Sequence, residues 1–539
     1  MNKLFTLLFL AALSGTGYAQ SYTLQSNQVK ATILANGATF TDGTNGAFIP
    51  VKPGLPEISL LNGSGIWIAG LDGSGNLKGA VDRISSTDFK PGQLDPIDVQ
   101  MTGDLTGIWP VTCSDVASHI QDYSDNGVID NPNTNIFAFP GKGNAQFEQY
   151  NALGIALPFT NQALGAYYDR NEDAVYEPSM GEYPALEVRG CPITFPAREM
   201  AWSVFNDALE TPHPSGMQAL RMEVQRQVFE LGSPHPGIRN NTVFVKYKLI
   251  NRSTDVLDSC FVGIYSDLSI GNPGDDYIGT IPDQNLVFGY NGDETDEGGF
   301  GSTIPVLGIT LLRGPLSPDD GTFSELGLHS TLSIEDPSNL GSAQIYNLLK
   351  GRQADGAPGP AGGYAFPGNP ALTNQMETEL ALGNTPGKRR SLMSMGPFTL
   401  YPGAVNEVIL AYFYTTAEGN LTVPQQVAAT IDLAEEVHAL FDACLDDGEN
   451  SCDAVSEAPE QQNLAGLMLY PNPAGQQITV ESKGGPFSRI VVTDVFGRSI
   501  QEIQLGAPSV KYQMRIDHLP SGVYSLRVDR YAMPLVVQR

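Results

Sequence analysis

Residues 219–228 read ALRMEVQRQV, and the β-strand signal of the chain is strongest from this stretch onward. Apolar residues alternate with polar or charged ones, which is the period of two that a β-strand requires. The apolar set comprises Leu220, Met222, Val224 and Val228. Residues 243–250 (VFVKYKLI) and 260–265 (CFVGIY) add two more extended runs. Three long strands in succession, each followed by a turn, predict an antiparallel sheet.

The rest of the chain has the composition of a turn-rich β protein. It contains 58 Gly and 38 Pro among 539 residues, and only 17% of its residues are charged. This composition favours short strands and turns over a helical bundle. Residues 66–78 predict a β-hairpin, and strands resume at 397–400 and 407–414. Residues 351–371, dominated by Gly, Pro and Ala, predict a long surface loop.

One long helix is predicted over residues 424–443, because Pro424 fits a first helical turn and an apolar stripe follows it. The stripe is Val427, Ile431, Ala434, Val437 and Phe441. A shorter amphipathic helix is predicted over residues 111–123. The fold class is therefore mainly β. We expect an antiparallel β-sandwich body with long loops and a C-terminal helix, followed by a small Ig-like β-sandwich tail.

The two ends of the chain predict export and a modular organisation. Residues 1–19 have a positive start, a short apolar run and a small-residue cleavage site, as in a signal peptide. No other apolar run approaches about twenty residues, so no transmembrane segment is predicted. We assign residues 20–452 to a β-rich secreted body, with a candidate subdivision near residue 200. Residues 453–463 form a polar linker, and residues 464–539 form a C-terminal domain.

The charge of the chain excludes some partners. Lys and Arg number 30 against 59 Asp and Glu, giving a net charge of −29. Nucleic acid and anionic membrane surfaces repel such a chain, so neither is an expected partner. Residues 464–539 reverse the balance, with eight basic and five acidic side chains. This break supports an independently folding tail.

Five cysteines in an exported chain predict disulfide bonds. Cys444 and Cys452 flank a short acidic loop and are the predicted pair. Cys113 with Cys191 is a second candidate pair. Cys260 lies in an apolar run and is expected to be a buried free thiol. No C-x-x-C spacing indicates zinc.

A calcium loop is the sharpest chemical hypothesis for the body. Its oxygen ligands would come from alternate positions, as in an EF-hand or dockerin loop. The candidate ligands are Asp169, Asn171, Asp173, the carbonyl of Val175, and Glu177. Two departures oppose it, since Ala174 stands where the turn wants Gly and Met180 where a closing carboxylate belongs. The alternative is an Asx-rich turn capped by its own side chains.

A second acidic group is spread over neighbouring segments of the body. It comprises Asp267, Asp275, Asp276, Asp293, Asp296 and Glu297. These residues would be close together only if the strand ends converge, which their spacing does not establish. We interpret them as solvated loop carboxylates.

No catalytic residue is predicted. H-E-x-x-H and G-x-S-x-G are absent, and the Gly-Ser-Gly stretches at 63–65 and 73–75 are typical of hairpin turns. The three tryptophans are interpreted as core residues rather than a sugar platform. The body is therefore predicted to be a binding, adhesion or surface-structural module for an extracellular glycan or protein. The alternative is an extracellular hydrolase of polysaccharide or protein, with a carboxylate pair about 5–10 Å apart as acid and base.

The tail has the most specific motifs of the chain: LYPNP at 469–473, IVVTDVFGR at 490–498 and LPSGVYSLRV at 519–528. Short alternating strands between Pro, Asn and Gly turns predict a small β-sandwich. The tail resembles the type A C-terminal sorting domain of the Bacteroidetes type IX secretion system. The matching positions are Tyr470, Pro471, Asn472, Pro473, Gly497, Leu519, Pro520, Gly522, Tyr524 and Arg539.

This resemblance implies an address rather than a chemistry. In that family the outer-membrane machinery reads the tail, and a sortase-like peptidase removes it and links the mature protein to a surface lipopolysaccharide. The resemblance therefore implies passage through the periplasm to the outer cell surface or the medium. Cleavage is expected in the linker, where the exposed polar backbone is accessible.

The body also resembles a broad group of large secreted Bacteroidetes proteins that carry the same tail. The shared blocks are residues 122–132, 168–178, 181–184, 275–279, 290–293 and 390–398. The resemblance covers most of residues 60–445. That group has no activity to carry over, so it implies kinship alone.

Overall fold

A computed structural model describes most of the chain after the predicted signal peptide. The described ranges are 20–94, 103–158, 164–191, 194–208, 213–231, 238–319, 322–416, 421–444 and 467–537, the last without 473, 484–485, 494–498, 521 and 529–530. The predicted signal peptide and the predicted linker lie outside the described residues. The domain boundaries therefore remain predictions.

The body contains twenty-one strands within the described ranges, and they confirm the mainly β fold class. They are β1 (Ser21–Leu24), β2 (Val29–Leu34), β3 (Phe48–Pro50), β4 (Leu61–Leu71), β5 (Leu77–Val81), β6 (Lys90–Pro91), β7 (Ile108–Thr112), β8 (Tyr167–Tyr168), β9 (Tyr183–Pro184), β10 (Glu199–Asn206), β11 (Met222–Glu230), β12 (Thr242–Asn251), β13 (Leu257–Leu268), β14 (Asp276–Ile281), β15 (Leu286–Asn291), β16 (Pro305–Arg313), β17 (Leu316–Asp319), β18 (Thr322–Glu325), β19 (Ser330–Ser333), β20 (Arg390–Leu400) and β21 (Val405–Thr416).

Short helices connect these strands, and one long helix ends the body. The α-helices are α1 (Cys113–Asn126), α2 (Thr134–Phe137), α3 (Phe147–Tyr150), α4 (Ser342–Leu349), α5 (Glu379–Leu382) and α6 (Val423–Asp442). Single 3₁₀ turns lie at Pro178–Met180, Ile238–Asn241, Pro282–Gln284, Pro337–Asn339 and Ala361–Gly363.

Two antiparallel sheets face each other across the main core. One has nine strands in the order β14-β15-β16-β21-β12-β11-β10-β6, with β7 also paired to β10. The other has the order β19-β20-β13-β4-β5. Tyr412 of the first sheet bonds Ser64 of the second through their hydroxyl groups, at 2.9 Å. Strands from both sides of residue 200 share the nine-stranded sheet, and their apolar residues belong to one core.

The three long strands predicted in succession do not all enter one sheet. β11 and β12 pair antiparallel, as the sequence predicts. β13 instead lies in the opposite sheet between β4 and β20. The single-sheet prediction was therefore wrong for the third strand. Alternation of apolar residues marks a strand but does not state which edge it joins, and here the chain crosses the core.

Arg226 is a buried charged residue on the apolar face of β11, which the strand pattern did not predict. It stands in phase with the apolar side chains of β11 and is fully buried. Its guanidinium donates to the carbonyls of Leu34 (2.6 Å), Gly37 (2.8 Å) and Ala38 (3.0 Å), and also to the hydroxyls of Thr39 and Ser203. Burial lowers the pKa of this guanidinium to about 10. Arg226 therefore anchors the turn after β2, since five hydrogen bonds offset its desolvation.

The long helix confirms its prediction. α6 begins one residue before the predicted start, and Pro424 occupies its first turn. The predicted apolar stripe is buried over its full length against β15, β16 and β21. The predicted shorter helix exists as α1, where the Thr112 side chain caps the first turn and Asp115 caps it in return.

The disulfide predictions were wrong. Cys191 bonds Cys444, at a sequence separation of 253 residues. This excludes both the predicted Cys444–Cys452 pair and the Cys113–Cys191 pair. The short acidic loop made the local pair attractive, but the fold places the end of α6 beside the segment before β10. Cys113 is also disulfide-bonded, and Cys260 is a buried free thiol, as predicted.

The tail is a separate all-β unit. Its strands are β22 (Leu467–Tyr470), β23 (Gln477–Ser482), β24 (Phe487–Thr493), β25 (Ser499–Ser509), β26 (Lys511–Arg515), β27 (Gly522–Val528) and β28 (Tyr531–Val537). They form two sheets, β22-β23-β26 and β25-β24-β27-β28, around a core of their own. The tail core and the body core share no residue among those described.

Candidate functional sites: the acidic loops and the sorting tail

The predicted calcium loop lies between the short strands β8 and β9. Both carboxylate oxygens of Asp169 accept backbone N–H groups, from Asp173 (3.3 Å) and Ala174 (2.9 Å). Asp173 accepts the N–H of Val175 at 2.8 Å. The Asn171 amide nitrogen lies between the carboxylates of Asp173 (3.0 Å) and Glu177 (3.2 Å). The structure therefore brings the predicted ligands together as an Asx-rich turn.

The backbone conformation removes the first objection, which was that Ala174 stands where the turn usually has Gly. Ala174 adopts φ 61°, the left-handed conformation for which Gly is the usual choice. The second objection holds, because Met180 is 46% exposed and supplies no carboxylate. Glu182, two residues later, is fully buried and accepts the N–H groups of Arg170 (2.9 Å) and Glu177 (2.8 Å). It closes the loop by bonding its two ends.

Across the described ranges, no three His, Cys, Asp or Glu side chains are grouped so that they could hold a metal ion. An oxygen site in the loop would therefore depend on the Asn171 amide and the Val175 carbonyl as well as on its carboxylates. Rotating the Asn171 amide by half a turn would present an oxygen where its nitrogen now bridges Asp173 and Glu177.

The second acidic group divides into two parts. Asp267 lies apart and pairs with Lys388 and Arg390, each at 3.3 Å. Asp275 and Asp296 both accept hydrogen bonds from Asn272, and Asp276 follows Asp275 as the first residue of β14. Burial, with repulsion from neighbouring carboxylates, raises the pKa of Asp275 and of Asp276. Asp276 and Asp296 are fully buried. The interpretation as solvated loop carboxylates was therefore wrong for Asp267, Asp276 and Asp296, which are buried, whereas Asp293 and Glu297 are exposed. Asp276 and Asp296 are buried because they accept backbone N–H groups of the loop before β14.

A carboxylate pair that the sequence did not single out lies between β10 and β11. Glu199 and Glu230 are directly opposed in register. Glu199 accepts the Tyr22 hydroxyl (2.6 Å) and the Gln25 N–H (3.0 Å), and Glu230 accepts the Asn27 N–H (3.0 Å). Burial first, then repulsion by Glu199, raises the pKa of Glu230 to about 9. Glu199 is the first residue of β10 and Glu230 is the last residue of β11.

A buried histidine also serves the architecture. The two ring nitrogens of His213 lie 3.0 Å from the Gly79 carbonyl and 2.8 Å from the Asp207 carbonyl. The Asp207 carboxylate accepts the backbone N–H groups of Leu220 and Met222. Asp88 accepts those of Val81 and Ser215. These acids hold loop backbone and present no free oxygen to solvent.

The two Gly-Ser-Gly stretches differ: residues 73–75 form the predicted hairpin turn, but the turn prediction was wrong for residues 63–65, which lie inside strand β4 and pair with β13. Ser64 is buried in β4 and bonds Tyr412 and Ser266, while Ser74 belongs to the exposed hairpin turn closed by Asp72. The tryptophans are core residues, as predicted. Their exposures are 0% for Trp67, 2% for Trp109 and 3% for Trp202.

The described sorting-motif residues shape the tail. Leu519 is 1% exposed in its core, and the Asn472 side chain accepts the Val536 N–H at 2.8 Å. The Tyr524 hydroxyl donates to the Pro520 carbonyl at 3.0 Å, and Gly522 opens β27 opposite Val537. Tyr470 is 39% exposed and bonds Glu481, with Pro471 directly after it. Pro473, Gly497 and Arg539 lie outside the described residues.

Comparison with known families identifies the tail. Residues 468–535 match the family model described as the secretion system C-terminal sorting domain. The chain is thus a substrate of the type IX secretion system, and its tail is the sorting domain that directs export to the cell surface or the medium. Among the described helices, none combines the length and the apolar character needed to cross a bilayer.

Two solved structures are remotely similar to most of the chain. No curated protein matches the chain. A solved polysaccharide lyase is similar over 70% of this chain and 40% of its own length, at 9% identity and a TM-score of 0.20. A structure from Klebsiella pneumoniae subsp. pneumoniae described as an aldose 1-epimerase is similar over 78% and 87%, at 9% identity and a TM-score of 0.16. This chain therefore spans less than half the length of the lyase, and neither likeness carries an argument.

Proposed function

We propose that the body is a binding or surface-structural module that acts outside the cell, on a glycan or protein, after export by the sorting tail. This proposal is supported mainly by four buried carboxylates near β5, β10 and β11, which bind other segments of the body itself. Glu199 and Glu230 bind the N-terminal segment, and Asp88 and Asp207 bind loops beside β5 and β11. A general acid and its partner need to reach a substrate, and these groups do not.

The charge of the body supports the same proposal. Acidic residues outnumber basic ones almost two to one in the whole chain, and the tail is the basic part. Such a surface favours basic or neutral partners and repels anionic ones. The polar loops at the ends of the sandwich are the surfaces most able to vary without disturbing the core.

Hydrolysis remains the second candidate, and Glu199 with Glu230 is the observation in its favour. Two opposed carboxyl groups, one with a raised pKa, are the chemical requirement of a retaining glycoside hydrolase. Burial argues against it, because Glu230 is 0% exposed and Glu199 is 3% exposed. A sugar would have to displace the segment around Tyr22 to reach them.

Labelled body protein, residues 20–455, will bind a restricted set of glycans or proteins saturably in an array screen, and it will release no new reducing ends or peptide termini from them. The matched control is the tail alone, residues 464–539, which should not bind the same set. Turnover by the wild-type body that is lost in Glu230→Gln would overturn the binding proposal and establish the hydrolase.

We further propose that the loop from Asp169 to Glu177 binds calcium. Asp173→Asn should weaken calcium affinity about tenfold or more, because it replaces a ligand carboxylate with a neutral amide. Calcium bound per chain, measured by mass spectrometry after equilibrium dialysis, is the readout. Asp125→Asn, an exposed change in α1, is the control and should leave the affinity unchanged. Equal calcium binding by both variants and the wild type would exclude the loop.

A further inference from the structure

Three buried side-chain oxygens without hydrogen-bond donors occur at the end of the β14–β15 hairpin where β14 begins and β15 ends. Asp276 opens β14, and its cross-strand partner is Asn291, which closes β15. Directly opposed residues project from the same face of a sheet, with Cβ atoms about 5 Å apart. Both side chains are 0% exposed. Asp275 adjoins them, because its carbonyl accepts the Gly292 N–H at 2.6 Å.

Each of these three side chains has one oxygen without a hydrogen-bond donor. Asp276 accepts the Ile270 N–H through Oδ2 at 3.0 Å, and its Oδ1 is buried without a partner. Asp275 accepts the Asn272 amide through Oδ2 at 3.1 Å, and its Oδ1 is likewise buried and unpartnered. Leaving a buried acceptor without a donor destabilises the folded state.

Asn291 is oriented so that its oxygen remains free. Its Nδ2 donates to the carbonyls of Asp293 (3.2 Å) and Thr295 (3.4 Å), which fixes the amide by acceptors on the nitrogen side. Its Oδ1 is buried with no donor. Because Asn291 is a neutral, fully buried side chain, its unpartnered oxygen is an observation independent of the neighbouring acids.

A further carboxylate lies near these oxygens. Asp296 lies beside Asp275, since the Asn272 backbone N–H donates to Asp296 Oδ1 at 2.9 Å while the Asn272 side chain binds Asp275. The Arg389 guanidinium is committed to Glu379 through two hydrogen bonds of 2.8 and 2.7 Å.

The chemistry of the three unpartnered oxygens determines which ligand would bind them. Acceptor oxygens alone repel anions, and a water molecule would satisfy two of them without neutralising the charge. Carboxylate and amide oxygens are the ligands of hard cations, whereas thiolate and imidazole, which zinc prefers, are not part of this set. Calcium fits better than magnesium, because irregular sites with six to eight oxygens suit its flexible coordination.

We propose that Asp275, Asp276 and Asn291 form a calcium site at the end of the β14–β15 hairpin, completed by water. The amide oxygen takes the place of a third carboxylate, consistent with the absence, in the described part of the chain, of a three-carboxylate metal group. Asp275 is partly exposed and provides the path of entry. The site is distinct from the loop after β8, and it does not depend on the binding function proposed for the body.

The test uses the full mature chain, stripped with EDTA and then titrated with calcium chloride. We expect calcium to raise the melting temperature and one ion per chain to be lost in Asp276→Asn, with the calcium-dependent shift reduced at least twofold. Asp276→Asn keeps the side-chain shape and offers an N–H to the free Asn291 oxygen, so the fold is expected to persist. Asp173→Asn, in the other loop, should leave this ion in place.

Asp275→Asn provides a second variant at the partly exposed edge of the proposed site, where folding is least at risk. We expect its calcium dissociation constant to rise about tenfold relative to the wild type. Wild-type calcium stoichiometry in both Asp275→Asn and Asp276→Asn would overturn the proposal. The proposal would also be overturned if calcium did not change the melting temperature of the wild type and Asp276→Asn were more stable than the wild type. In that case a proton on Asp276, and not calcium, would pair the buried oxygens.

Discussion

Deletion of residues 464–539 will leave the body in the periplasm, with surface-exposed or released protein falling at least tenfold. The segment removed contains the matched sorting domain, residues 468–535, with its own core and its own two sheets. Because that core shares no described residue with the body core, the body should still fold when the tail is absent. The loss of surface display would therefore result from the missing sorting signal and not from unfolding of the body.

Fractionation with a tag inside the body provides the measurement, read as protease accessibility on intact cells. Fusing residues 464–539 to an unrelated periplasmic reporter is the matched control, and the reporter should reach the surface. Leu519→Asp should reproduce the deletion, since it places a charge in the tail core, where this side chain is 1% exposed. Surface display that persists without residues 464–539 would show that the address lies elsewhere.

Glu230→Gln will stabilise the body at pH 8 and have little effect near pH 4.5. Burial, with repulsion from Glu199, raises the pKa of Glu230 from 4.5 to about 9. Below pH 4.5 the carboxyl group is protonated in both the folded and the unfolded chain, so it costs nothing. Between pH 4.5 and 9 the unfolded chain releases a proton that the folded chain keeps. Stability therefore falls by about 1.4 kcal/mol per pH unit over that window.

At pH 7 this cost is about 3 kcal/mol, and glutamine removes it because the amide has the shape of the protonated acid and cannot ionise. The accepted hydrogen bond from the Asn27 N–H is kept, and the new amide N–H groups face the Glu199 carboxylate. For a body of this size we expect a gain of about 3 °C in melting temperature at pH 7, measured by calorimetry across a pH series.

Glu199→Gln is the matched control on the opposite strand. Both oxygens of Glu199 accept hydrogen bonds, from the Tyr22 hydroxyl and the Gln25 N–H. An amide would turn a donor toward one of these donors, so this variant should lose stability at every pH tested. If Glu230→Gln is destabilising by the same amount at pH 4.5 and pH 8, the Glu230 carboxyl is not held protonated by the fold.

Local patterns predicted much of the architecture because they follow from the geometry of single elements. The stripe from Val427 to Phe441 repeats at helical spacing and therefore marked α6 to within a residue of its start. The turn at Asp72 was visible because Asp, Gly and Asn satisfy their own backbone, as the bonds from Ser74 and Asn76 to Asp72 show. The ligand spacing after Tyr168 predicted a compact oxygen-rich loop, and that loop exists.

Features that depend on contacts between distant segments could not be predicted in this way. The Cys191–Cys444 bond joins parts of the chain that local spacing cannot relate. The opposed pairs Glu199–Glu230 and Asp276–Asn291 arise from strand register. Alternation gives the face of a residue but not its partner on the next strand.

The sequence by itself determined that this protein is an exported, mainly β chain with a sorting tail. Those properties reside in short motifs, composition and periodicity, each of which acts within one element. The tertiary structure was needed to show that β13 crosses to the opposite sheet, that Arg226 is buried in phase with apolar residues, and that Asp276 lies opposite Asn291. The reason is physical, since burial and charge coupling depend on which strands become neighbours, and closing the long loops between them leaves no local signature in the chain.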